Sequence, residues 1–111
     1  MAARRTPIGR RSCRFTLELA LESPDGFGGV IRTWQPGPLL WGSIEHLATR
    51  DRLDADKAEA AVTHRITLRH REGVGNTMRL LLGPRRFRIR SAADPDGTRR
   101  ELVCMVEELR P

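Results

Sequence analysis

The chain has no tyrosine, and aromatic residues make up only 5% of its 111 positions. A module that binds single-stranded nucleic acid by stacking needs aromatic platforms for the bases. That scarcity counts against a sequence-reading binder. Cysteine is equally sparse: Cys13 and Cys104 are the only two, with no CxxC motif. They read as two reduced thiols packed in strands rather than as a disulfide framework. No apolar run approaches membrane-spanning length. The stretch after the basic start is interrupted by Glu18 and Glu22, so it lacks the apolar core of a signal peptide. These absences lead to the expectation of an intracellular soluble chain with no membrane partner.

Lysine is the next thing missing. Twenty basic residues give a formal net charge of +6, and Lys57 is the only lysine among them. Arginine suits planar, bidentate contacts to phosphate or carboxylate, but a GC-rich coding sequence produces the same bias. Charge alone speaks to solubility and nonspecific binding, not to fold.

What is present is alternation, clearest from Val62 to Ala92. Val62, Ile66 and Leu68 fall on even positions, while Arg65, Arg69 and Arg71 fall on odd ones. Met78, Leu80 and Leu82 share a face, as do Phe87 and Ile89, with Arg86, Arg88 and Arg90 opposite. Period two with one wet face predicts antiparallel strands, here a three-strand meander. Gly73, Gly75 and Asn76 supply one turn and Gly83-Pro84 the other. Upstream, Phe15, Leu17, Leu19 and Leu21 line one face of a first strand from Cys13 to Glu22. Ser23 to Gly29 is a Pro/Asp/Gly turn. A second strand runs from Val30 to Gln35 and is ended by Pro36-Gly37-Pro38. Leu39 to Leu47 is a third strand, with Trp41 as its core anchor alongside Phe87 and Ile89 elsewhere. After a turn at Asp94-Pro95-Asp96-Gly97, a last strand from Arg99 to Glu108 is apolar on both faces. Leu102, Cys104 and Val106 share one face and Val103 and Met105 the other, which suggests cover from a neighbouring subunit.

Two segments break the alternation. Residues 1–12 are basic and aperiodic, and read as a flexible N-terminal arm. Residues 48–61 are charged and alanine-rich, and Asp54 is placed to cap a short helix through Ala61. The fold expected is all-β: a small antiparallel barrel or sandwich of six to seven strands spanning 13–111, with one loop or short-helix insertion at 48–61.

The residues offer little chemistry. His64 and His70 lie on one strand face but roughly 20 Å apart, at about 3.3 Å per residue. With His46 they make no recognisable metal motif, and no nucleophile–base arrangement stands out. The glycine turns do not lead into helices as phosphate loops must. The chain therefore reads as a non-enzyme with no cofactor and no metal. Its candidate site is the arginine face built from Arg65, Arg69, Arg71, Arg86, Arg88 and Arg90, suited to nonspecific phosphate contact or to ion pairs with an acidic neighbour.

With those residues laid out, the chain resembles the phage head-tail joining proteins, also called head-closure or stopper proteins. The resemblance runs through Ile8-Gly9, Pro24 to Gly29 leading to Thr33-Trp34, and Leu40-Trp41-Gly42-Ser43-Ile44. It continues through Val62 to Ile66, Arg69-His70-Arg71, Arg86-Phe87-Arg88-Ile89 and Asp94 to Leu102. It implies a β-barrel subunit of a homo-oligomeric ring, a hexamer with a dodecamer as the alternative. Such a ring lies in the head-tail connector of a tailed phage or a gene transfer agent. Portal or adaptor proteins lie on its head side, tail terminator or tail tube protein on its tail side, and packaged double-stranded DNA in its channel. It implies channel or assembly roles for the six arginines. It also makes 48–61 a candidate gating or inter-ring loop, with Arg50, Arg52, Leu53, Asp54 and Lys57 as its contact residues. The competing reading is a stand-alone small-barrel nucleic-acid-binding module.

Overall fold

The computed structural model describes residues 13–47 and 62–110. The basic N-terminal arm and the insertion at 48–61, with Arg50, Arg52, Leu53, Asp54 and Lys57, lie outside the described residues. Six strands follow in chain order: β1 (Cys13–Pro24), β2 (Val30–His46), β3 (His64–Arg69), β4 (Met78–Leu82), β5 (Arg85–Ala93) and β6 (Glu101–Leu109). Every pairing is antiparallel, and the sheet closes on itself in the order β1-β2-β3-β6-β5-β4. Closure removes sheet edges within the barrel, though not along the outer part of the β1–β2 hairpin. Among the described residues there is no helix, and so none long and apolar enough to cross a membrane.

The alternation read from the sequence sets what fills the barrel. Phe15, Leu17, Ile66, Leu68, Leu80, Phe87, Ile89, Leu102, Cys104 and Val106 form one buried cluster. Phe87 and Ile89, expected as core anchors, are fully buried. Burial pushes the Cys104 thiol up to about 12, because a thiolate in an apolar interior has no solvation. We expect thiol reagents to leave Cys104 untouched in the native protein and to reach it only on denaturation. Rapid modification of Cys104 without unfolding would contradict this placement.

Three expectations are corrected. First, Pro36-Gly37-Pro38 does not end a strand. Val30–His46 is one strand of 17 residues, because β3 pairs with β2 only from Gly42 onward. Pro36 and Pro38 thus sit where no strand needs their missing amides on that edge. The register shifts between Thr16 and Glu18, placing Leu17 opposite a bulge. There Gly37 comes so close that an added Cβ would lie 2.6 Å from the Leu17 carbonyl oxygen.

Second, β3, β4 and β5 are not a meander. β4 and β5 do form a hairpin, but β3 pairs with β2 and β6.

Third, Trp41 is not a core anchor: it is 55% exposed. Its neighbour Gly42 faces inward, where a Cβ would meet the Thr67 carbonyl oxygen at 2.6 Å, Leu68 at 2.7 Å and the Phe15 ring at 3.2 Å. The interior is already full at this level. With Leu40 and Ile44 packed against the core, alternation sends the indole outside.

Candidate functional site

The arginine surface can be built row by row from the strand register. One row crosses four strands on the outer wall: Glu18 pairs with Arg79, Arg79 with Arg88, and Arg88 with Glu107. A second places Arg69 beside Glu101. Because β6 lies between β3 and β5, its carboxylates interleave the two arginine strands. The candidate residues Arg65 and Arg69 on β3 are therefore not contiguous with Arg86, Arg88 and Arg90 on β5. The sequence reading missed this because it assumed that chain neighbours were sheet neighbours.

Part of the positive charge on this wall is already answered. Arg65 reaches Glu45 at 2.6 Å and Arg90 reaches Glu107 at 2.5 Å. Arg86 donates to the Arg110 carbonyl oxygen at 3.1 Å. Arg79 donates from Nε to the buried Glu18 carboxylate, and its guanidinium stacks 4.2 Å from the Trp34 ring. Arg69, Arg71 and Arg88 are exposed and have no ion-pair partner among the described residues. These three are the arginines available to a phosphate backbone or an acidic partner.

One end of the barrel carries a shallow depression lined by His46, His64, Arg85 and Glu108, among others. Here the register did what spacing could not: His46 and His64 are cross-strand partners, with ring centroids 5.0 Å apart. Arg85 clamps Glu108 through two hydrogen bonds of 2.8 and 3.0 Å. The guanidinium holds the Glu108 carboxyl below the usual carboxylate range. Whatever stability this pair contributes is present above the ordinary carboxylate pKa and is lost as pH falls through the lowered one. No group of three or more metal-ligating side chains occurs among the described residues.

The feature that sequence reasoning missed is the β1–β2 hairpin. β1 pairs with β4 only over Thr16–Leu19, and β2 with β3 only over Gly42–His46. From Ala20 to Gln35 the two strands pair with each other alone among the described residues and project from the barrel as an arm. Its tip is a built turn. The Asp25 carboxylate accepts from the amides of Phe27 at 2.7 Å and Gly29 at 2.9 Å, with Gly26 and Gly28 at positive φ. Those two donors hold Asp25 below the usual carboxylate range. The turn presents Phe27 at 95% exposure. A phenylalanine set among glycines in Gly26-Phe27-Gly28-Gly29 was the available signal, since turn chemistry explains the glycines but not the ring.

The phage head completion protein family matches this sequence over residues 6–109. Among solved structures, the chain is similar to protein SF1141 from Shigella flexneri 2a. The two are 28% identical, with 93% of this chain and 96% of that one covered at a TM-score of 0.73. It is also similar in fold to a chain from the virion of a native gene transfer agent particle, at 24% identity and a TM-score of 0.62, covering 86% of this chain and 93% of that one. No curated protein matches.

Proposed function

This chain belongs to the phage head completion protein family, and we propose that it works as one subunit of a ring below the portal or adaptor of a tailed phage or gene transfer agent. In that position the ring continues the DNA channel, helps retain packaged DNA and gives the tail a surface to dock on. Membership makes the chain a structural component of the virion. The finer role rests chiefly on the family match, which spans almost the whole chain. The surface agrees with it. A wall of arginines interleaved with carboxylates and partly neutralised by them suits passage and packing more than tight capture of DNA. Trp34 stacks on the Arg79 guanidinium of the chain itself rather than standing open for bases. In this reading Arg69, Arg71 and Arg88 contact DNA or a neighbouring ring.

The test is genetic complementation in the producing host. Particles lacking the protein should contain filled heads that leak DNA and carry no tails. Arg69→Gln, Arg71→Gln and Arg88→Gln together should leave the melting temperature almost unchanged, because exposed charges contribute little to stability. The same triple variant should restore tails or DNA retention poorly. Tailed, stable particles formed without the protein would overturn the proposal. So would purified protein that binds one short DNA sequence far more tightly than random DNA of equal length.

A further inference from the structure

All six exposed large apolar side chains among the described residues lie on one hairpin: Leu21, Phe27, Val30, Ile31, Leu39 and Trp41. Five of them form two separate patches, and Val30, the register partner of Pro24, lies on the other side of the arm. The first is on the arm. The core-facing side of β1 runs Phe15, Leu17, Leu19, Leu21, and exposure rises along it from 0% at Phe15 and 2% at Leu17 to 50% at Leu21. Ile31 lies on that same side, as the register partner of Ser23, and Phe27 caps the tip. The arm thus carries an inner barrel face out beyond the strands that would cover it. The second patch is on the outer wall at the root of the arm. Leu39 and Trp41 point outward there, opposite Thr16 and Arg14, and the Arg14 guanidinium stands 5.2 Å from the Trp41 ring.

We propose that the arm of one copy docks its Leu21–Phe27–Ile31 face on the Leu39–Trp41 wall of the next copy. Two observations favour a second copy as the occupant. A head-to-tail contact covers both patches with one interface, whereas any other arrangement needs two partners. The charges also agree: with Glu22 paired to Arg32 at 2.8 Å, the projecting stretch 20–35 is left with the single negative charge of Asp25 in a chain of net charge +6, and the wall patch is flanked by Arg14 and by exposed Arg69. The same acidity and apolarity make the arm a poor surface for DNA. Edge-to-edge strand pairing is restricted by Pro36 and Pro38, which lack amides on the open edge of β2. A contact between two different patches is heterologous, and such contacts close into rings or run on as filaments. The inference rests on the ring reading and names the surfaces that build it.

The test uses purified full-length chain and sedimentation velocity over a dilution series from micromolar to submillimolar. The wild type should grow in size with concentration. The arm variant Leu21→Ser/Phe27→Ser/Ile31→Ser and the wall variant Leu39→Ser/Trp41→Ser should each remain monomeric, with circular dichroism unchanged. Mixed in equal amounts, they should form a one-to-one pair and nothing larger, because only one intact arm and one intact wall can meet. Phe27→Ser alone, at a tip that contributes nothing to the core, should weaken association roughly tenfold. The proposal is overturned if the wild type stays monomeric throughout, if the wall variant associates as the wild type does, or if the mixture forms no pair. A monomeric wild type combined with tailless particles on gene loss would remove this interface but leave the connector role standing. Normal self-association together with complete particles on gene loss would do the reverse.

Discussion

Phe87→Ala should cost the barrel about 3–5 kcal/mol, enough to unfold most of a marginally stable domain. Phe87 is fully buried on β5. Its ring meets the His64 ring at 5.4 Å, and the Arg85 guanidinium lies over it at 4.9 Å. Truncation to alanine removes the largest apolar contribution of that strand. It also leaves a void bounded by strands whose backbones are locked by closure, so relaxation is limited. Phe87→Leu keeps most of the volume and should be milder. Urea denaturation of the two variants checks the ordering, and an alanine variant within about 1 kcal/mol of wild type would show that the site collapses freely. The contrast is Trp41→Ser, which should barely move the midpoint, since the indole lies on the outer wall.

Arg79→Ala is the second large effect. Glu18 is 8% exposed, and the Arg79 side chain is its partner at 15%. Removing the guanidinium strands a carboxylate in the wall and uncovers the Trp34 ring. A loss on the order of 3 kcal/mol is expected, the lower end for unpairing a buried charge because both groups keep some access to water. The mechanism makes a sharper claim than the magnitude does. In a Glu18→Gln background no charge is left behind, so Arg79→Ala should cost clearly less there than in wild type. Equal costs in the two backgrounds would mean that Arg79 acts by packing on Trp34 and not through the ion pair.

Both variants probe features of different legibility. That Phe87 is core was readable from alternation: Arg86, Phe87, Arg88 and Ile89 can satisfy a one-sided strand in only one way. That Arg79 is a pairing residue was not readable. Its partner Glu18 lies 61 residues away and meets it only because β1 and β4 are neighbours in the closed sheet. The apolar arm was half legible. Phe15, Leu17, Leu19 and Leu21 were correctly placed on one face, but where burial ends along that face depends on how far β4 and β3 extend beside the hairpin.

Alternation, proline and glycine marked most of the strands and several of the turns, because they act within a few residues of themselves, but they neither carried β2 through Pro36-Gly37-Pro38 nor chose the inward face at Trp41. Cys13 to Glu22, Met78 to Leu82 and the last strand could be marked this way, but with both faces of that strand apolar only the closed sheet decided that Leu102, Cys104 and Val106 fill the core. The tertiary structure alone decided strand order, and with it everything that depends on sheet neighbours. β6 lies between β3 and β5, so glutamates break up the arginine face. β3 meets β2 only from Gly42, so Pro36 and Pro38 ride inside a long strand, and its first half projects as an arm. Trp41 shows the division within a single residue. Alternation placed it opposite Ile44, but which of the two faces was inside depended on Phe15 and Leu68 having already filled the barrel at Gly42. Side-chain period is a local property of the chain, while the available interior volume is a property of the closed sheet.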